Sequence, residues 1–303
     1  MLFQKLISKI YNQHNQRNMA NLSASELIIN SDNSIYHLNL RSEDIADTII
    51  TVGDPSRVHK VSQYFDKIDF EMNKREFITH TGTYKGKRIT VISSGMGTDN
   101  IEILLTELDA AVNIDLKKRT PKKTRRNLKI IRVGTSGALQ ASIAIDSFLV
   151  SVNGIGLDTL MCFYDLPQNN YELEVVHRFQ KEMNLPFTPY CVAGSEKLRK
   201  QFAFDMLEGN TVTCPGFYAP QGRDLGIGIK YPNWVKSLEY FHLEDFWLTN
   251  FEMETAGYYA MGRLLGHEVI SLNAIVANRI TSEFSKNADK TVDTLIKTVL
   301  ERI

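Results

Sequence analysis

Short apolar runs alternate with amphipathic helical stretches along most of this 303-residue chain, and that rhythm constrains its fold more than any single motif. The runs at 48–52, 89–93, 129–133, 148–152, 190–193 and 269–276 are dominated by β-branched and aliphatic side chains. Between and after them, 100–112, 171–183, 252–265 and 290–302 repeat apolar residues every three or four positions. Fully apolar strands need cover on both faces, and helices supply it. The alternation therefore predicts an α/β fold, a largely parallel or mixed sheet flanked by helices. No internal repeat and no Pro/Gly/Ser-rich linker interrupts it, so one domain is expected, and a 43% hydrophobic content can fill its core.

Charge excludes some functions. Lys and Arg total 35, as do Asp and Glu, so net charge gives no reason to expect nucleic acid or an anionic membrane as partner. The local exception is 117–126, Lys-Lys-Arg-Thr-Pro-Lys-Lys-Thr-Arg-Arg, basic at seven of ten positions with no acidic residue. It lacks interleaved aromatics, and its expected state is a solvated loop joining a helix to the strand at Ile130, near an oligomer contact. Cys162, Cys191 and Cys214 are an odd set without paired spacing, which fits a reducing, cytoplasmic setting and three small buried apolar residues. No apolar stretch reaches the roughly twenty residues a bilayer demands. At the N-terminus, Leu2, Phe3, Leu6, Ile7 and Ile10 recur at helical spacing but are interrupted by lysines, so 1–35 reads as an extension, partly helical or disordered, with Met19 an alternative start.

Arg132 is the informative residue within that frame. It interrupts Ile130-Ile131-Arg132-Val133-Gly134-Thr135-Ser136-Gly137, where an unpaired guanidinium would cost several kcal/mol. It needs a partner, either a buried carboxylate or a ligand, and the hydroxyls of Thr135 and Ser136 beside two glycines suit an anion. Gly53-Asp54-Pro55-Ser56-Arg57 likewise follows an apolar run, and glycine lets backbone approach an anion closely. Read alone, it is equally an ordinary turn with a surface arginine, and Gly95-Met96-Gly97 is as ambiguous. In Phe217-Tyr218-Ala219-Pro220-Gln221-Gly222-Arg223, a Gln amide offers adjacent donor and acceptor that match a uracil edge, and the arginine can donate to O4. In Glu252-Met253-Glu254 the carboxylates can accept ribose hydroxyls; by themselves they also fit helix N-terminal charging.

Taken in order and spacing, these segments resemble the nucleoside phosphorylase-I family from about Tyr36 to the C-terminus. Tyr36-His37-Leu38, Arg75-Glu76-Phe77, Ser94-Gly95-Met96-Gly97 and Asn278-Arg279 join the motifs already quoted. The resemblance implies a catalytic domain over 36–303, its mixed sheet closed into a distorted barrel. It implies phosphorolysis of pyrimidine nucleosides, chiefly uridine, for which the Gln–x–Arg pair is the family's mark. A purine or broad-specificity phosphorylase and a water-using nucleosidase of the same fold are the alternatives. By the same resemblance Gly53, Arg57, Arg132 and Thr135 hold phosphate, the co-substrate, with Arg75 lent by a neighbouring subunit. His37, also from the neighbour, meets the 5′-hydroxyl; Phe217, Gln221 and Arg223 hold the base; Glu252, Met253 and Glu254 face the ribose; Arg279 buttresses the uracil oxygen indirectly. Arg223, Gln221 and Glu254 are the catalytic candidates. No organic cofactor is implied; some relatives place potassium between paired subunits at positions matching Glu76 and Asn100. The expected assembly is a homo-oligomer, dimer or hexamer, with shared sites. The long 117–126 segment, Thr98-Asp99-Asn100 and Pro215-Gly216 depart from the family's pattern.

Overall fold

A computed structural model of the chain describes residues 22–303; the amphipathic stretch at 2–10 and the alternative start at Met19 lie outside the described residues. Residues 22–35 contain turns and one isolated bridge, Ile29 with Ile35, rather than a helix. Strands β1 (Thr48–Val52), β2 (Lys67–Met72), β3 (Thr79–Tyr84) and β4 (Lys87–Ser93) come first, followed by the two-residue strands β5 (Ile114–Asp115) and β6 (Thr120–Pro121). Then come β7 (Lys129–Ala138), β8 (Phe148–Gly156), β9 (Tyr190–Ala193), β10 (Leu207–Thr213), β11 (His242–Leu243), β12 (Phe246–Glu252), β13 (Glu268–Asn278) and β14 (Glu283–Phe284). The helices are α1 (Ser56–Ser62), α2 (Thr98–Asn113), α3 (Asn170–Glu182), α4 (Glu196–Phe202), α5 (Trp234–Tyr240), α6 (Thr255–Leu265) and α7 (Ala288–Glu301).

One sheet runs β11-β12-β10-β8-β13-β7-β1-β4-β3-β2, and β12 also pairs antiparallel with β7. That extra pairing closes β7, β13, β8, β10 and β12 into a ring, the barrel the resemblance implied. β1 lies outside the ring, parallel to both β4 and β7, with Thr51 opposite Ile92 and Arg132. Parallel strands buried on both faces need continuous apolar sequence, and Ile49, Ile50, Val52, Ile130, Ile131 and Val133 are all fully buried. α2 covers this region with Ile101, Leu104, Leu105 and Leu108, one helical stripe. Truncating Leu104 to alanine would cost about 2–5 kcal/mol, the usual range for a buried leucine. A second apolar cluster sits under α3 and α5, where Phe179 meets Trp234 and Phe241 edge-on.

Every sequence-derived strand and helix exists, several with longer bounds, but four features differ. β2, β3, β10 and β12 were not among the expected strands. The helix expected from Glu252 begins at Thr255, because Glu252 ends β12 and its Oε2 accepts the amides of Glu254 and Thr255, 2.9 Å each. The basic segment is no free loop either. β5 and β6 fold its first half into a hairpin, and four of its seven cations are held by the rest of the protein while Lys117, Lys118 and Lys123 stay exposed: Arg119 donates to the Ser23 and Leu27 carbonyls, and Lys122 to Val112 O. Arg125 pairs with Asp109, and Arg126 with Asp47 and the Ser42 and Ile45 carbonyls. Finally, Cys191 and Cys214 are buried as expected, whereas Cys162 is exposed.

Candidate active site

A cleft of about 550 Å³ opens where the ends of β1, β4, β7 and β12 meet. Gly53, Asp54, Pro55 and Arg57 line it from the β1–α1 turn, and Glu76, Gly95 and Met96 from the turns around β3 and β4. Arg132, Gly134, Thr135, Ser136 and Gly137 line it from β7; Phe217, Gln221 and Arg223 from the β10–α5 connection; Phe251, Glu252, Met253 and Glu254 from β12 and the turn after it. Chain-distant motifs thus converge because parallel strands end at the same edge of a sheet, where open α/β folds hold ligands. A second groove, about 410 Å³, is shallow and is lined almost wholly by the outer side of α3, His177, Arg178 and Lys181 among its residues.

Arg132 has the partners that its burial demands. Nη2 lies 2.9 Å from Glu252 Oε2 and 2.6 Å from Glu254 Oε2, while Nη1 donates to Ser271 Oγ and Asn273 Oδ1 at 3.0 Å. Burial alone would weaken its charge, but the two carboxylates outweigh burial and raise its pKa. Glu254 Oε1 accepts the Gly97 amide at 2.9 Å, which ties this carboxylate to the start of α2. Burial, with Glu252 alongside, pushes the Glu254 carboxyl above the ordinary range in spite of Arg132. Glu252 Oε1 accepts the Thr213 hydroxyl at 2.7 Å. Of the two readings of the Glu-Met-Glu segment the structure shows the helix-start one, through Glu252, and it adds a third role, since the pair also neutralises Arg132.

Arg57, at the opposite lip, has no carboxylate within ion-pair distance among the described residues, and burial lowers its pKa. Among the described residues its charge is not met by a close carboxylate, as that of Arg132 is. Gly53 needs no special backbone, since an added Cβ would meet only Gly95 O at an ordinary 3.6 Å. Gly95 does, with φ +70 and an added Cβ 2.5 Å from Asn100 Nδ2.

At the other end, Arg223 Nη1 donates to Gln221 Oε1 and to the Phe217 carbonyl, both at 2.7 Å, and its guanidinium stacks 3.8 Å over the Phe217 ring. Burial and the nearby Arg279 charge draw its pKa down to about 10. Gln221 is buried, so its amide is presented from a fixed wall. The loop carrying them is held by main-chain contacts. Arg279 donates to Gln221 O at 2.8 Å, and Trp234 Nε1 to Pro220 O at 2.7 Å. Arg279 thus grips the loop's backbone and does not line the cleft.

Two expected residues are not brought to the cleft within this chain. Arg75 is exposed on the β2–β3 turn, with φ 53. His37 pairs its Nδ1 with Glu107 Oε1 at 2.6 Å, in the C-terminal half of α2. Phe284, on the short strand β14, was missed; it lines the cleft while remaining 70% exposed. A bare aromatic in Thr281-Ser282-Glu283-Phe284 was the available signal.

Residues 47–303 match the model of the phosphorylase superfamily. A uridine phosphorylase of Thermococcus kodakarensis is 30% identical over 255 residues, 84% of this chain and 81% of that protein. A DeoD-type purine nucleoside phosphorylase of Buchnera aphidicola is 24% identical, over 89% of this chain and 99% of that protein. Among solved structures, a Trypanosoma brucei nucleoside phosphorylase described as showing uridine phosphorylase activity superposes with TM-score 0.82 at 30% identity, over 91% of this chain and 98% of its own.

Proposed function

This chain belongs to the phosphorylase superfamily, and from that membership we propose that it cleaves pyrimidine nucleosides with inorganic phosphate, uridine and phosphate giving uracil and ribose 1-phosphate. One observation carries the pyrimidine assignment: the Gln221–Arg223 pair forms one end of a cleft whose other end holds Arg57 and Arg132. A buried Gln amide beside an arginine supplies the donors and acceptor that complement a uracil edge. The relatives named for uridine phosphorolysis support the same choice.

The chemistry follows from the charges. A phosphate oxygen bonds to C1′ while the C1′–N1 bond breaks, and the electron pair leaves on the base, which is protonated to uracil. Positive charge grows on the sugar meanwhile, so stabilisation is chiefly electrostatic. Arg57 and Arg132, with Gly53 and Thr135 beside them, hold phosphate beneath the sugar. Glu254, fixed by Arg132 and the Gly97 amide, holds the ribose with Glu252 and Met253 so that attack and departure stay in line. Arg223 and Gln221 take up charge on the departing uracil, while Phe217 stacks on the ring and Arg279 supports the wall through its backbone.

A single subunit is short of two groups in this reading, Arg75 and His37, so the working unit is a homo-oligomer in which a neighbour lends them to phosphate and the 5′-hydroxyl. An interface potassium would be held at Glu76 and Asn100. Glu76 offers a carboxylate and Asn100 its amide oxygen, since the amide nitrogen donates to Met96 O at 3.2 Å. No step is routed through it. Free Cys162, Cys191 and Cys214 support a reducing, cytoplasmic setting.

The test is uracil release from a panel of pyrimidine and purine nucleosides with and without phosphate. Phosphate-dependent release from uridine is expected. Release without phosphate would make the protein a nucleosidase, and a preference for inosine or adenosine would refute the base assignment.

A further inference from the structure

Inside the ring of β7, β13, β8, β10 and β12 runs a continuous hydrogen-bonded chain of which the reaction above uses only Arg132. Arg132 Nη1 donates to Asn273 Oδ1 at 3.0 Å, and Asn273 Nδ2 donates to Ser151 Oγ at 3.0 Å. The Ser151 and Thr211 hydroxyls meet at 2.6 Å, Thr211 Oγ1 donates to Asn250 Oδ1 at 2.8 Å, and Asn250 Nδ2 donates to Ser136 Oγ at 2.9 Å. No member is more than 5% exposed. The chain begins on β7 at a permanent cation and returns to β7 four residues later, having crossed every other strand of the ring.

Its direction follows from the groups themselves. A guanidinium only donates, so Asn273 must turn its oxygen to Arg132 and its NH₂ to Ser151. Ser151, already an acceptor, then donates to Thr211, and Thr211 donates to the Asn250 oxygen. The Asn250 NH₂ is left for Ser136. Ser136 Oγ has this single hydrogen-bond partner among the described residues, so its own hydrogen is free to be donated, and the residue lines the cleft. Hydrogen bonds aligned head to tail polarise one another, by about 10–30% per bond, and here a cation sits at the upstream end. Ser136 is thereby made a stronger donor than an isolated serine.

Position selects the acceptor. Arg132, Gly134 and Ser136 share one face of β7, because side chains alternate along a strand. The Arg132 guanidinium folds back over Gly134, and the next residue, Gly137, abuts Phe251 and Arg279, the residue that holds Gln221. Ser136 therefore stands between the anion end and the base end. We propose that Ser136 is a substrate-binding residue whose hydroxyl donates to the pyrimidine carbonyl oxygen next to the glycosidic nitrogen, the 2-oxygen, which gains charge as the base departs. This rests on the nucleoside phosphorolysis reading. The carbonyl's two lone pairs accommodate both Ser136 and the Gln221 amide.

Initial rates of phosphorolysis of uridine and 2-thiouridine by Ser136→Ala, Ser136→Thr and Thr211→Val test it in the full-length protein, with thermal midpoints measured alongside. Ser136→Ala should lower kcat on uridine about 100-fold, the scale of losing one transition-state donor, with the KM for phosphate unchanged. Ser136→Thr keeps the hydroxyl and should restore most of the rate. Thr211→Val touches no substrate and leaves Thr249 Oγ1, at 3.0 Å and shared with Asn210 O, as the hydroxyl within reach of the Asn250 oxygen. It should slow uridine several-fold, and add nothing once Ser136 is alanine. On 2-thiouridine, whose sulfur is a weak acceptor, Ser136→Ala should lose little beyond the wild-type rate. Equal losses on both substrates, or a change confined to phosphate KM, would overturn the proposal. If Ser136→Ala does not fold, wild-type kinetics in Thr211→Val would overturn it instead. Absence of phosphate-dependent uracil release in the wild type would sink the underlying reading, a separate result.

Discussion

Gly134→Ala is the sharpest probe of how the anion end is built. An added Cβ would lie 2.2 Å from Arg132 Nη1, 2.5 Å from Cζ and 2.8 Å from Nη2. Non-bonded carbon contacts settle near 3.5–4.0 Å, so the guanidinium must retreat by roughly 1 Å or more. It is not a free end that can swing aside, because Glu252, Glu254, Ser271 and Asn273 all hold it. Gly134 itself has no left-handed φ, so alanine brings no backbone strain and the perturbation is confined to the arginine. A misplacement of about 1 Å in a positioning group costs on the order of 100-fold in rate, or about 2.7 kcal/mol of transition-state stabilisation. Initial rates at varied phosphate should show kcat/KM lowered by that factor, with a fall in thermal midpoint as the four-partner contact is distorted. Arg132→Lys, which keeps charge but loses the planar fork, should be at least as impaired. A Gly134→Ala enzyme within about threefold of wild type, less than 1 kcal/mol, would refute the idea that the placement of this guanidinium matters.

Other outcomes follow from the same geometry. Arg223→Ala should reduce turnover of uridine about 100-fold, as expected for removing a donor to the leaving group; near-normal turnover would show that this arginine does not stabilise it. Because Arg75 and His37 lie away from the cleft in their own chain, Arg75→Ala mixed with Arg132→Ala under subunit exchange should recover activity that neither has alone. A fully active monomer by light scattering would remove that expectation. Burial would raise the Glu172 pKa, but Arg263 at 2.6 Å and the amides of Asn169 and Ala193 outweigh it and hold it below the ordinary value. A depressed carboxylate stabilises above its unfolded pKa and loses that stabilisation as pH falls through the folded one. Glu172→Gln should therefore flatten the drop of thermal midpoint between about pH 5 and 3, and an unchanged slope there would argue against the pairing.

What could be read from sequence, and what could not, has a physical pattern. β1 and β7 were plain because they are packed on both faces, so their apolar runs are unbroken. β10 and β12 escaped notice because Thr211, Thr213, Asn250 and Glu252 turn polar groups into a ring interior that is itself polar. The helix start was placed three residues early because acidic residues ordinarily mark a first turn, whereas Glu252 reaches forward from a strand to do so. Arg57, Arg132, Gln221 and Arg223 were legible because each lies in a short local motif at a strand end. Arg132's partner was left open between carboxylate and ligand, and two carboxylates proved to hold it. The basic segment misled for a simpler reason: composition reports charge but not which carbonyls and carboxylates lie within reach. Arg279 was expected to act on the base only indirectly, and it grips the Gln221 main chain, a contact that leaves no trace in residue type.

The two ends of the cleft are anchored differently, and this bears on how such a protein can change. Arg132 is woven into interlocked strands, so altering its neighbourhood disturbs a structure that every function of the chain shares. Gln221 and Arg223 hang on a connecting stretch clipped by Arg279 and Trp234 through backbone carbonyls, contacts indifferent to which side chains that stretch carries. Preference for one nucleobase can drift while the grip on the mineral co-substrate is conserved, a division of labour that lets one scaffold serve descendants with different diets.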